Sequence, residues 1–110
     1  YISHLTKGKY TTPQNLGQTI NSAQSEHDPC ISKDERYLIF KSENRPDGFG
    51  EADLYCSKIS GGGGWMQAVN LGQKINTSTY EYCPYVSPDS RYFFFSSESD
   101  VKWISMEYLR

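Results

Sequence analysis

A long internal repeat limits what this chain can fold into more than any other feature does. Residues 15–43 and 70–98 align without a gap, fifty-five positions apart, and fifteen of the twenty-nine positions are identical. Asn15-Leu16-Gly17-Gln18-Thr19-Ile20-Asn21 returns as Asn70-Leu71-Gly72-Gln73-Lys74-Ile75-Asn76. Glu26-x-x-Pro29 returns as Glu81-x-x-Pro84, and Ile31-Ser32-Lys33-Asp34-Glu35-Arg36-Tyr37 as Val86-Ser87-Pro88-Asp89-Ser90-Arg91-Tyr92. A period of this length marks a solenoid, a propeller or another array, in which each unit buries its apolar face only against a neighbour.

Each copy reads as short strands separated by turn formers. β-branched and aromatic runs place strands over 27–32, 36–42, 53–59 and 65–71 in the first copy, and over 82–87, 91–97 and 100–105 in the second. Ser87-Pro88-Asp89-Ser90 suits a type I turn, with proline fixing φ and the aspartate bonding back to its own backbone. Arg45-Pro46-Asp47-Gly48-Phe49-Gly50 reads as a longer hairpin tip. No window carries helical periodicity with caps, so the expected class is all-β. Four strands in such a unit are the signature of a β-propeller blade, a four-stranded antiparallel meander. Tyr1-Ile2-Ser3-His4-Leu5 matches Tyr55-Cys56-Ser57-Lys58-Ile59, and Tyr10 matches Trp65, so the chain opens in a third strand. The expected organisation is a half blade over 1–17, a full blade over 18–71 and a C-terminal blade lacking its outer strand over 72–110. That is an incomplete ring in one chain.

Ser87-Pro88-Asp89-x-Arg91-Tyr92 with its following aromatic run, Asp53-Leu54-Tyr55, and Trp65 ahead of Asn70-Leu71-Gly72 together resemble the Pro-Asp, WD-like repeats of TolB-type β-propellers. The likeness spans nearly the whole chain. It departs at Lys33 and Ala68, where proline is usual, at Ser90, where glycine is usual, and at the glycine run 61–64, which replaces a shorter turn. The resemblance implies a noncatalytic scaffold that binds a protein partner, in the periplasm or elsewhere in a bacterial cell envelope. The alternative is an accessory propeller fragment of a peptidase or a carbohydrate-active hydrolase or lyase, and fold alone does not choose between them.

Charge and composition narrow the partners. The net charge is −2 with acids and bases interspersed, which gives no footprint for nucleic acid or an anionic membrane. No stretch is apolar enough for a membrane span, and no signal peptide is legible. Nine Tyr, five Phe and two Trp could stack on glycans or bases. The better reading puts Tyr37, Phe40, Phe93, Phe94 and Phe95 in the layers between blades. Cys30, Cys56 and Cys83 fall at unrelated repeat positions, so neither a disulfide framework nor zinc-type spacing follows. Cys30 and Cys56 read as small buried hydrophobes and Cys83 as more exposed. Asn76-Thr77-Ser78 fits a glycosylation sequon, a common tripeptide with meaning only in a eukaryotic secretory route.

Little in the chain points to catalysis. Glu26-His27-Asp28 could ligate a metal or act in acid–base work, but the second copy has Glu81-Tyr82-Cys83, so only the carboxylate recurs. A recurring glutamate at a strand entry reads better as a brace to backbone or to a neighbouring loop. No nucleophile elbow, phosphate loop or His-Glu-x-x-His is present, and no catalytic residue, metal or cofactor is assigned. Propeller geometry puts the long loops 18–28, 43–52 and 73–82 on one face, with Glu26, His27, Asp28, Glu43, Arg45, Asp47, Glu51 and Glu81 as candidates for binding. For Arg45 and Asp53, bracing their own hairpin is an equal alternative. Two repeats leave open faces and strand edges. The missing outer strand at one end and the segment 10–16 at the other are expected to be complementary. They would join within a longer parent, or by head-to-tail association in which three copies complete a six-bladed ring.

Overall fold

The repeat becomes two sheets that share one plan. The computed structural model describes residues 1–109. Among these are nine strands, one 3₁₀ turn and no α-helix, so the chain is all-β. A hairpin of β1 (Leu5–Thr6) and β2 (Lys9–Tyr10) opens it. A four-stranded antiparallel sheet follows in the order β3 (Glu26–Ile31), β4 (Tyr37–Glu43), β5 (Ala52–Lys58), β6 (Val69–Asn70). A three-stranded antiparallel sheet then runs β7 (Glu81–Val86), β8 (Tyr92–Ser97), β9 (Asp100–Ser105), and the 3₁₀ turn Met106–Tyr108 ends it. No sheet closes on itself.

The two sheets agree residue by residue. In β3–β4, Cys30 faces Ile39 and Ile31 faces Leu38; in β7–β8, Tyr85 faces Phe94 and Val86 faces Phe93. Both first strands carry a bulge at the same repeat position, with Asp28 at φ 52° and Cys83 at φ 51°. The tight turns also match. The Ser32 hydroxyl donates to Asp34 Oδ1 at 2.6 Å and accepts from Tyr37 N at 3.0 Å; Ser87 does the same with Asp89 at 2.6 Å and Tyr92 N at 2.9 Å. Each aspartate also accepts from the backbone of Arg36 or Arg91. Glu35 and Ser90 sit at φ 56° and 57°, which is why glycine is the usual residue there. The serine hydroxyl, not foreseen from sequence, is the centre of each turn.

One expected strand differs. The outer strand over 65–71 shrinks to Val69–Asn70 and a single bridge between Ile59 and Trp65. At Ala68 the N–H points away from the ladder and donates to Thr19 O at 2.9 Å. The segment 10–16 pairs with the opening residues. Leu5 pairs with Tyr10, and Ile2 bridges Gln14, at the repeat positions of Ile59 with Trp65 and Cys56 with Val69. The opening residues therefore copy the third and fourth strands of a sheet.

Strand alternation sorts the core into two layers. Ile39, Leu54 and Cys56 of the four-stranded sheet meet Val86, Phe93 and Phe95 of the three-stranded sheet, sealed by Ile75, Met106 and Leu109. On the other face of the four-stranded sheet, Leu38, Phe40 and Tyr55 pack with Ile20 and Ala68, flanked by Leu16 and Trp65. Each buried Leu, Ile, Val, Phe or Met among them contributes about 2 kcal/mol. Phe94 alternates to the outer face of its sheet, away from the layer that Phe93 and Phe95 fill.

Candidate functional site

Antiparallel order brings the starts of β3, β5 and β7 and the ends of β4 and β8 to one end of the molecule. The connectors 18–25 and 73–80 and the loop 44–51 lie there, as the sequence predicts. The opposite end carries the serine-centred turns and the glycine run, closed by Ser60 N to Gly64 O and Gly63 N to Ser60 O.

Each connector is fixed by the Asn-Leu-Gly-x-x-Ile-Asn motif. Asn15 Oδ1 accepts from Gly17 N at 2.7 Å and from Asn21 Nδ2 at 2.8 Å; Asn70 accepts from Gly72 N and Asn76 Nδ2, both at 2.8 Å. Gly17 and Gly72 take φ 82° and 79°, which glycine alone adopts freely. Ile20 and Ile75 then drop into the core. Asn76 goes further: its amide accepts from Leu54 N at 2.8 Å and donates to Leu54 O at 3.0 Å.

The recurring glutamates are braces between connector and sheet. Glu26 Oε1 accepts from Ser22 N and Oγ, from Ser42 Oγ at 3.0 Å and from Arg45 Nη2 at 2.9 Å. Burial alone would raise this carboxyl, but the hydrogen bonds from Ser22, Arg45 and Ser42 outweigh it and hold it below its usual 4.5. Glu81 is fully buried and accepts from Thr77 N at 2.8 Å, Thr77 Oγ1 at 2.7 Å and Ser97 Oγ at 2.7 Å. Ser22 and Thr77, and Ser42 and Ser97, are repeat partners, so one arrangement is built twice.

Arg45 is equally structural. Its guanidinium lies over the Tyr55 ring at 4.5 Å and the Phe40 ring at 5.4 Å, and it donates to Ile20 O at 2.6 Å and Ser42 Oγ at 2.8 Å. Asp53 is buried and accepts from Phe49 N, Gly50 N and Asn70 Nδ2, tying the hairpin tip to the outer strand. Asp47 accepts from the Tyr55 hydroxyl at 2.9 Å, and burial with this carboxylate pushes the phenol up to about 12. Asp28 accepts from Cys83 N at 3.2 Å, a bond from one bulge to its repeat equivalent in the next sheet.

Three candidates stay at the surface. His27 Nε2 lies 3.8 Å from Glu43 Oε1, and Lys41 Nζ lies 3.0 Å from the same oxygen, forming a polar cluster in which His27 is half exposed and Lys41 mostly covered. Glu51 bonds the Tyr80 hydroxyl and raises its pKa. Gly50 beside it is pressed against the backbone of 77–79, where any Cβ would clash. Here Glu51 N and Ala52 N both donate to Thr79 O, so the 44–51 loop latches one sheet to the next connector. In the second copy a two-residue turn, Glu98-Ser99, stands in place of that loop.

The structure thus divides the eight candidates. Glu26, Arg45, Glu81, Asp47 and Asp28 are committed to internal bonds, while His27, Glu43 and Glu51 remain on the loop end with Lys41 and Tyr80. Lys41 was not foreseen; its place opposite His27 in the β3–β4 register is the signal that finds it. Among the described residues no group of three or more His, Cys, Asp or Glu is arranged to hold a metal ion. The three cysteines are free, and burial pushes the Cys30 thiol up and the Cys56 thiol up to about 11. No helix among the described residues is long and apolar enough to cross a membrane. No family model, curated protein or solved structure matches the chain.

Proposed function

We propose that each sheet is a blade of a TolB-type β-propeller, and that the chain is a noncatalytic scaffold binding a protein partner in a bacterial cell envelope. The observation that carries this reading is the contrast between the two ends. One end holds tight turns with saturated hydrogen bonds. The other holds long connectors and the latched loop 44–51, which carries the exposed Phe49, next to the strand ends that carry His27, Lys41 and Glu43. Mixed charge beside an exposed aromatic, fixed by buried bonds beneath, suits a polar protein interface in which little ordering entropy is lost.

A photo-reactive side chain at Phe49 and another at Lys33, on the opposite end, test the reading in envelope extracts. The expected result is a discrete cross-linked protein from position 49 that disappears in the His27→Ala, Lys41→Ala, Glu43→Ala variant, with no such product from position 33. Equal labelling from both positions, or hydrolysis of peptide or glycan substrates by the chain, would overturn it.

A further inference from the structure

We infer that the outer face of the β7–β9 sheet docks a second copy of this chain, against the face of its β3–β6 sheet that carries Ile31 and Leu38. Four rings form a continuous ladder on the docking face. Tyr85 lies 6.3 Å from Phe94, Phe94 6.4 Å from Tyr92, and Tyr92 5.3 Å from Trp103, edge to face. Tyr85 is 52% exposed and Trp103 60%. The repeat gives this surface a meaning. Its positions correspond to Cys30, Tyr37, Ile39 and Cys56 of the first sheet, all packed into the layer between the sheets. The fold therefore already contains a complete example of this face covered by another sheet.

The covering surface in that example is Val86, Phe93 and Phe95, whose repeat equivalents are Ile31, Leu38 and Phe40. Val86 is 7% exposed, whereas Ile31 is 50% exposed beside a cleft lined by Tyr1, Leu16 and Pro29; Leu38 and Phe40 are already covered within the chain by Ile20, Ala68 and Leu16, so the second copy reaches them only as the opening residues move aside. Sizes compensate across the two pairings. Inside the chain, the small Cys30, Ile39 and Cys56 meet the large Phe93. Between copies, the large Tyr85, Phe94 and Trp103 meet the smaller Ile31 and Leu38. Close-packed interfaces require such matching.

The opening hairpin occupies the third- and fourth-strand places of the incoming sheet, so β9 of the second copy would displace residues 1–6. The hairpin is suited to yield, since β1 and β2 pair over two residues each and are exposed throughout. Once freed, 10–16 can add beside β9 as a fourth strand of the three-stranded sheet. The contact is head-to-tail, using a different face on each copy.

Sedimentation of the whole chain and two variants tests this, in a Trp65→Phe background so that emission reports Trp103. The starting protein should associate with concentration, with its emission moving to the blue. Trp103→Glu and Ile31→Glu each remove one face and should be monomeric, with far-ultraviolet circular dichroism unchanged because both sites are exposed, and with a melting temperature that no longer rises with protein concentration. Mixed in equal amounts, the two variants should form a heterodimer and nothing larger. A starting protein that stays monomeric overturns the inference. So does association that survives Ile31→Glu, which would mean two aromatic faces meeting, or quenching of Trp103 by oligosaccharide in place of self-association. None of these outcomes bears on cross-linking at Phe49, so this inference and the scaffold reading fail separately.

Discussion

The carboxylate braces of the two sheets are the same device with the cation delivered from different places. In the first sheet, Arg45 comes from the long 44–51 loop, folds back over Tyr55 and donates to both Glu26 and Ser42. In the second, that loop is a two-residue turn, and the Tyr55 position is taken by Lys102. Its Nζ lies 3.4 Å from Ser97 Oγ and pairs with Glu98. Among the described residues no ion pair reaches Glu81. The pair Glu–Ser is thus what the backbone plan demands, because it ties connector to second strand. The cation is added where loop length permits.

If this is right, the braces respond differently to deletion. The largest effect belongs to Glu26→Ala, which strands a nearly buried guanidinium and should cost about 3 kcal/mol by chemical denaturation. Adding Arg45→Met should return at least about 1 kcal/mol of it. Glu81→Ala leaves three donors without an acceptor and should cost about 2–3 kcal/mol, but Lys102→Met should return nothing. Recovery in both sheets, or in neither, would show that the cation is not what separates them.

Acid sharpens the same contrast. The folded Glu26 carboxyl titrates below its unfolded value of 4.5, so its stabilisation is present above that pH and is lost as pH falls through the folded value. Asp34 and Asp89, lowered by the Ser32 and Ser87 hydroxyls, act with the same sign. Melting temperature should therefore drop as the solution is acidified below pH 4.5, and Glu26→Gln should flatten part of that drop. An unchanged acid limb in the variant would place the titrating groups elsewhere.

The smallest predicted effect copies one turn into the other. Lys33→Pro gives the first turn the residue that its twin carries at Pro88, and the two turns share their hydrogen bonds. It should raise stability by about 0.4–1 kcal/mol through the unfolded chain. A loss would mean that the two backbones differ at this position despite those bonds.

Much of this architecture is legible in the residues themselves. The repeat places both sheets, and turn chemistry puts Asp34 and Asp89 in their hairpins. Strand ends fall within one or two positions of expectation, except in the outer strand, where the Ala68 N–H donates to Thr19 O. The period-2 alternation that separates Phe94 from Phe93 and Phe95 is also present in the sequence, although a run of three aromatics reads first as one layer. The fate of the candidate site is harder to read. Nothing local says that Arg45 turns inward, because its partners Ile20, Glu26 and Tyr55 are brought to it by three separate segments. Glu26 and Glu81 recur as motif residues should, but recurrence alone does not distinguish a brace from a ligand.

Asn76 blurs the line between the two units. Its amide pairs both backbone groups of Leu54, in the middle of the first unit's third strand, while its own segment leads into the second unit. A chain of separable modules would show independent opening events, each with its own free energy. Here the lead-in to one sheet is stitched into the interior of the other, and the latch at Gly50 and Thr79 adds a second stitch. Fluctuations that expose the amides of β5 must therefore also loosen the entry to β7. The smallest cooperative unit of this molecule spans both copies of its repeat.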